Sequence, residues 1–210
     1  MAYNNHLLFN NVYLKNLSPS EEEMADARYL VHRSAKDWFA DADFSTPAGI
    51  VRTWLRPLLN QQSLDLVATE LGDDHAWNIV APWDRDQPLA LCYVAPHRTD
   101  LSGHVDGILP KGNHWMIRAV NLACESGGQE LRWVVLTNGE QWRLLDACAL
   151  RRYEAFLEID LYHLLSGEDD PMAAYLFYRL LRLEDSLERD EDTGKNKLDA
   201  LIEESSKATE

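Results

Sequence analysis

The stretch RWVVLTNGEQWRLL, residues 132–145, constrains the fold more than any other part of this chain. Two apolar runs, 133–136 and 142–145, flank a Thr-Asn-Gly turn. Asn138-Gly139 tolerates positive φ at both central positions of a tight turn, because glycine has no Cβ and asparagine can bond its own backbone. We therefore predict a β-hairpin here, and with it two adjacent strands of a sheet.

The composition is that of a folded domain with appended helices. The chain has 210 residues, of which 46% are hydrophobic and 26% charged, and this is enough to bury a substantial core. Charges interrupt every apolar run, so none reaches the roughly 20 residues of a membrane span. The N-terminus lacks the basic region and cleavage site of a secretory signal, and the three cysteines are widely spaced. We expect reduced thiols and a cytoplasmic protein.

The net charge argues against direct binding to duplex DNA. Acidic residues number 35 and basic residues 20, which gives a formal charge of −15. A DNA-binding surface gains affinity by neutralising phosphates with lysine and arginine, so the charge has the wrong sign. A local basic patch remains conceivable in the first third of the chain, although we expect its members to lie on solvated helix faces: Arg28, Arg33, Lys36, Arg52 and Arg56.

Helices are predicted first and strands after them. Helical spacing of apolar residues predicts a helix over 18–40, with Ser18 or Ser20 as its cap, and a second over 45–61, capped by Ser45 or Thr46 and kinked or ended by Pro57. Three strands follow over 64–71, 76–83 and 89–96, with DRDQP as the turn between the last two.

The second half of the chain is predicted to contain both helices and strands. Residues 97–113 are predicted as a loop and 114–128 as a helix ending at Gly127-Gly128. The hairpin of residues 132–145 follows, then an edge strand over 155–161 and a helix that begins at Pro171. The order predicts an α/β fold with a mixed sheet flanked by helices. We divide the chain into a domain over 1–165 and a helical connector over 166–210, toward a C-terminal region outside this sequence.

Several segments together resemble a family of DNA-processing enzymes. They are WLRPLLN, PLALCYV, TDLSG and WVVLTNGEQWRLL, between residues 54 and 145, with LFNNVYL and LDALIEESS outside that span. The chain resembles the nuclease-like N-terminal domain of type IIG-like restriction–modification enzymes, and more distantly that of type I restriction subunits. The resemblance implies a restriction-endonuclease-like fold, a role in phage defence, and an adenine-specific DNA methyltransferase as neighbouring domain or subunit. DNA would be reached through that larger assembly.

Family members that cut DNA carry a PD-(D/E)xK site, in which two carboxylates hold Mg²⁺ and a lysine places the attacking water. The resemblance puts the strand-borne Asp at Asn78 and the Glu-x-Lys at Tyr93-Val94-Ala95. A phenol, an amide and a methyl group cannot replace two carboxylates and a cation. We therefore expect no catalytic residue, no cofactor and no bound metal in this chain.

A relocated metal site is the enzymatic alternative. Its candidate ligands are Glu70, Asp84 and Asp100, with Lys111 as cation, and it would make the chain a Mg²⁺-dependent endonuclease. A zinc site is a weaker possibility, since the spacing of its candidate ligands fits no compact motif: His97, Asp100, His104, Asp106 and His114. Phosphate-binding loops, nucleophile elbows and methyltransferase motifs do not occur.

Two functions of other kinds stay open beside the nuclease. The chain could be a catalytically degenerate scaffold that positions a methyltransferase, or an acidic protein-interaction module unrelated to DNA cleavage. The tryptophans could also stack on bases, although most occupy positions expected to face the core: Trp54, Trp77, Trp83, Trp115, Trp133 and Trp142.

Overall fold

A computed structural model gives the fold for most of the chain. It describes residues 2–29, 31, 36–60, 64–70, 72–102, 115–125, 131–150, 153–166, 170–181, 187, 190 and 193–208. Within these residues, no helix combines the length and the apolar character that crossing a lipid bilayer would need.

Seven strands form one mixed sheet in the order β1-β7-β6-β5-β4-β3-β2. Among the described strands only β4 and β5 run parallel; all other neighbours are antiparallel. The strands are β1 (Tyr3–His6), β2 (Asp65–Ala68), β3 (Ala76–Ala81), β4 (Asp84–Val94), β5 (Trp133–Thr137), β6 (Gln141–Asp146) and β7 (Phe156–Asp160). The predicted α/β mixed sheet is confirmed.

Helices cover both faces of the sheet. They are α1 (Asn11–Asn16), α2 (Glu21–Tyr29), α3 (Lys36–Ala40), α4 (Pro47–Ile50), a π-helical turn (Val51–Leu55), α5 (Arg56–Asn60), α6 (Trp115–Glu125), α7 (Leu161–Leu165), α8 (Pro171–Leu181) and α9 (Lys197–Lys207). Helix α6 packs on one face, against Leu91, Tyr93 and Ala95. The N-terminal helices, α8 and α9 pack on the other, against Ala90, Cys92 and Val94, because successive strand residues point to opposite faces.

The helix predicted over 45–61 forms with an irregularity in its middle. The Thr46 hydroxyl caps it by accepting from Gly49 N at 3.0 Å, and the chain stays helical from Pro47 through Asn60. The π turn lies beside Pro57, whose ring nitrogen has no hydrogen to donate to the carbonyl of Thr53. Pro57 therefore does not end the helix, but the helix is irregular beside it.

Two predictions about the strands are wrong. The DRDQP segment is not a turn: β4 begins at Asp84, and the turn is Pro82-Trp83 alone. The strand β7 is not at an edge, because β1, which was not predicted, pairs along its outer side. The segment predicted as a helical connector contains helices α8 and α9. Helix α9 packs onto the sheet, where Leu198 is fully buried.

The hairpin at residues 132–145 is confirmed, but its turn differs from the predicted one. Of the two central residues only Gly139 has positive φ, at +91°. The Asn138 side chain closes the turn instead, because its Oδ1 accepts from the backbone N–H of Glu140 at 3.0 Å and of Gln141 at 2.8 Å. Asparagine thus acts through its side chain and not through its backbone conformation.

Candidate functional site at the carboxyl end of strand β4

The positions expected to carry nuclease chemistry lie together on the α6 face of the sheet. Ala76 on β3 pairs with Tyr93 on β4, and Asn78 pairs with Leu91, two residues before Tyr93. Residues paired across antiparallel strands point to the same face, and so do residues two apart on one strand. Asn78, Tyr93 and Ala95 therefore share the part of this face where the carboxyl end of β4 meets the start of β3.

None of the three offers a charged metal ligand. Tyr93 and Ala95 are fully buried. Burial raises the pKa of Tyr93, and the nearby Asp73 carboxylate raises it further, so the phenol stays neutral at physiological pH. The Asn78 Oδ1 is buried with no hydrogen-bond partner among the described residues. A neutral phenol, a methyl group and an uncharged amide occupy the place of two carboxylates and a lysine.

One carboxylate does reach this place, and an arginine already holds it. Asp73 Oδ2 accepts from Arg118 Nη2 at 2.6 Å and from Arg118 Nε at 3.0 Å. Its Oδ1 accepts from His75 N at 2.9 Å. Burial lowers the pKa of Arg118, but the hydrogen bonds and charge of Asp73 outweigh it and the net shift is upward, so the guanidinium stays charged. The arginine therefore neutralises the Asp73 carboxylate at this place.

Three aromatic rings surround this ion pair. His75 Nδ1 lies 2.8 Å from the Val94 carbonyl oxygen, and since a carbonyl only accepts, that nitrogen carries the ring proton. The His75 ring lies 5.9 Å from Tyr93 and 5.6 Å from Trp115, and the last two are 6.0 Å apart. A cleft of about 510 Å³ beside Asp73 and His75 opens toward the start of α4. Asp73 lines this cleft, whereas Arg118 does not and has its side chain 25% exposed.

The relocated metal site does not assemble. Glu70 follows β2 and is exposed, whereas Asp84 begins β4 and Asp100 lies beyond its end. A strand rises roughly 3.3 Å per residue, so the length of β4 separates these two aspartates by tens of ångströms. Lys111 lies outside the described residues. Within the described part of the chain no three histidine, cysteine, aspartate or glutamate side chains are placed to hold a metal ion.

The described members of the candidate zinc set have other partners. His97 Nε2 lies 2.9 Å from Glu140 Oε1, and its ring stacks on Phe44 with centroids 4.5 Å apart. Asp100 Oδ1 accepts from Ser102 N at 2.8 Å. His104, Asp106 and His114 lie outside the described residues. His97 and Asp100 stabilise the loop after β4 and do not point to a common ligand.

Most of the tryptophans pack in the core, as predicted. Trp54, Trp133, Trp142 and Trp115 are at most 5% exposed, whereas Trp83 is 69% exposed. Two of the buried indoles also donate over long range, Trp54 Nε1 to the Gly139 carbonyl at 3.1 Å and Trp133 Nε1 to Asp199 Oδ1 at 3.1 Å. These indoles hold elements together and are not free to stack on bases.

Two arginines of the candidate basic patch are paired with aspartates. Arg56 lies 3.1 Å from Asp65, and Arg52 lies 3.4 Å from Asp43 with its side chain 69% exposed. Arg33 falls outside the described residues, as does the side chain of Lys36. The described arginines do not offer a row of unpaired cations to a phosphate backbone.

The sequence reasoning missed Asp73, His75 and Arg118. Their signals were present: an acidic pair and a histidine immediately before a strand, and one arginine inside an otherwise apolar helix segment, WMIRAV. The 45 residues between Asp73 and Arg118 hid the pairing. Comparison with protein-family models, with curated proteins and with solved structures gave no match.

Proposed function

We propose that this chain is a catalytically inactive, nuclease-like domain of a DNA restriction–modification or phage-defence methyltransferase system. It would act as a scaffold or interaction module, bringing a methyltransferase domain or subunit to its place, and would not cut DNA itself. A cytoplasmic location belongs to the proposal, since no disulfide links Cys92, Cys124 and Cys148.

The arrangement of the central elements supports a restriction-endonuclease-like core. Helix α5 leads into the antiparallel meander β2-β3-β4, which helix α6 connects to β5 lying parallel to β4. This is the order of the nuclease core that the sequence resembles. The hairpin with the Leu-Thr-Asn-Gly turn follows at once as β5 and β6.

The observation that carries the proposal is the Asp73–Arg118 pair. Both oxygens of the Asp73 carboxylate are occupied, and its side chain is only 6% exposed. A divalent cation would need at least one more carboxylate here and would have to displace a charged guanidinium. The nearest strand position contributes Tyr93, which supplies no negative charge.

An acidic interaction module unrelated to DNA cleavage is the second candidate. The charge of −15 favours it, because binding to a basic protein surface would be steered by this charge whereas binding to DNA would be opposed. The two proposed functions differ in the partners of the domain. In both of them the chain itself performs no hydrolysis.

The test is a nuclease assay on the purified chain with Mg²⁺ or Mn²⁺, on supercoiled and linear DNA, together with calorimetric metal titration. We expect neither cleavage nor metal binding. Asp73→Asn and Asp100→Asn serve as matched variants. If metal-dependent cleavage occurred and one of these isosteric changes abolished it, the domain would be an active endonuclease and the proposal would be wrong.

A binding experiment separates the two candidates. Duplex DNA and a basic protein are titrated against the chain over a range of salt concentrations, alone and with an adenine-specific methyltransferase supplied as a separate subunit. The scaffold function requires a complex with the methyltransferase that retains DNA binding. The acidic module predicts salt-sensitive binding of the basic protein and a complex that excludes DNA.

A further inference from the structure

The tip of the β3–β4 hairpin carries an exposed tryptophan that the site at the end of β4 does not use. Ala81 pairs with Asp84, so the turn consists only of Pro82 and Trp83. Trp83 is 69% exposed, while Trp54 on α4–α5 is fully buried in the same domain. An indole has a large apolar surface, and tryptophan is enriched among the residues that dominate protein interfaces.

The tip is held in place by ion pairs at its base. Ala81 pairs with Asp84 but the preceding residue of β3, Val80, pairs with Pro88, so residues 85–87 bulge from β4. Arg85 Nη2 lies 3.2 Å from Asp65 Oδ2, and Arg56 Nε lies 3.1 Å from Asp65 Oδ1. The base of the hairpin is thus paired with β2, and an indole has only two side-chain torsions to fix on binding.

The charge around Trp83 determines which partners it suits. Asp84 and Asp86 flank the turn, and the single cation between them, Arg85, is already paired with Asp65. The tip is therefore negative, which opposes approach to nucleic acid phosphates. A protein surface with lysine or arginine around an apolar pocket would complement both features, because cations are attracted to carboxylates and to the face of an indole.

We propose that residues 82–86 form a docking surface for a partner protein whose apolar pocket is bordered by lysine or arginine side chains. Trp83 fills the pocket, and Asp84 and Asp86 meet the basic rim. The assignment holds whether or not the domain descends from a nuclease.

The experiment uses the full chain labelled with 5-fluorotryptophan, with the Trp83 resonance assigned from the Trp83→Phe spectrum. The probe is a short synthetic amphipathic helix of leucine and lysine. Its leucine–glutamate counterpart and an oligothymidine are the comparison probes. We expect the lysine probe to shift the Trp83 resonance, and Trp83→Ala to weaken its binding about tenfold, as truncation of an interface anchor does.

Two further variants make the result specific. Asp84→Asn with Asp86→Asn should weaken binding and reduce its salt dependence, because the carboxylates supply the ionic part. Tyr29→Ala removes another exposed aromatic side chain, 58% accessible on α2, and should leave the affinity unchanged. The proposal is overturned if the lysine probe leaves the Trp83 resonance in place, or if the oligothymidine moves it.

Discussion

The indole nitrogen of Trp54 donates a hydrogen bond of 3.1 Å to the carbonyl oxygen of Gly139, 85 residues further along the chain. Gly139 is the tip of the β5–β6 hairpin, and Phe44 lies against it. The turn that marks the sequence most clearly is therefore a point of attachment for the N-terminal helices. Its composition follows from packing and not from catalysis.

Gly139→Ala tests this attachment. The new Cβ would lie 2.7 Å from Phe44 Cε1, on a backbone with φ of +91°, so both strain and overlap should act. We expect a loss of about 3 kcal/mol in the free energy of unfolding, measured by urea denaturation. Gly72→Ala is the matched control, since Gly72 has φ of +67° with nothing within 4 Å of its Cβ. An equal loss in both variants would mean that Phe44 contributes nothing.

Removing the cation from the Asp73–Arg118 pair should lower the free energy of unfolding. Arg118→Met leaves the Asp73 carboxylate, 6% exposed, without its charge partner, and we expect a loss of about 3 kcal/mol. Adding Asp73→Asn should restore most of the stability, because no buried charge is then left unpaired. Arg98→Met is the control, since Arg98 is 77% exposed and 3.7 Å from Glu140. Equal denaturation midpoints for Arg118→Met and the unmodified chain would contradict the prediction.

Stability should fall at alkaline pH because of two buried acids. Burial raises the pKa of Cys92 from 9.0 to about 12, and burial together with Asp73 raises that of Tyr93 from 10.0. Their stabilisation is complete below the unfolded values and is lost as pH rises toward the folded ones, because only the unfolded chain releases these protons. Each group contributes up to about 1.4 kcal/mol per pH unit in that window. Unfolding free energies of Tyr93→Phe and Cys92→Val, measured from pH 8 upward, should show a shallower decline; an unchanged slope in both would refute it.

The docking of α9 depends on one guanidinium. Arg132 donates to Asp146 at 2.7 Å and to Asp199 in the first turn of α9 at 2.7 Å. Arg132→Met should accelerate hydrogen exchange of α9 by about tenfold or more, while β5 and β6 stay protected. Lys195→Met removes an ion pair to the same helix whose two side chains are 54% and 47% exposed, and it should have almost no effect. Equal exchange in both variants would show that the Arg132–Asp199 ion pair does not hold α9.

The outer edge of the sheet at β2 is closed by two side chains. Arg56 Nη2 donates to the Leu66 carbonyl at 2.7 Å, and Asp65 Oδ1 accepts from the Leu66 N–H at 2.8 Å. Edge strands with free backbone groups recruit other strands. We expect Arg56→Ala with Asp65→Ala to self-associate as concentration rises, measured by sedimentation velocity. The exposed pair Asp43–Arg52 supplies the control, and a monomeric edge variant would disprove the prediction.

Local sequence patterns predicted most helices and strands, whereas the features that depend on contacts between distant residues were missed. The hairpin, the meander and the helix caps at Ser20 and Thr46 follow from a few neighbouring residues, and the structure has them. Strand β1 was missed because Tyr3–His6 is short and polar, and only β7 makes it a strand. DRDQP reads as a turn by composition, yet the bulge at residues 85–87 keeps it in β4.

The sequence indicated the strand positions of the candidate site but not the ion pair that lies there. Alignment to the nuclease pattern led to Asn78, Tyr93 and Ala95, and these share one face of the sheet. The alignment did not identify Arg118. The acid that pairs with this arginine depends on how α6 crosses the strands, and local sequence does not determine that. Asp84 and Asp100 were candidate ligands of one relocated site, but Asp84 begins β4 and Asp100 lies beyond its end.

The pairing of β1 with β7 determines when the sheet can be completed during folding. Tyr3 pairs with Ile159, and the backbone N–H of Ala2 donates to Asp170 at 2.8 Å. Strand β1 precedes the other six described strands, yet its partner β7 is the last of them, so β1 can join this sheet only after all six have been synthesised. Contacts of such sequence separation slow folding, and until they form, β7 offers an open edge to any other unpaired strand nearby.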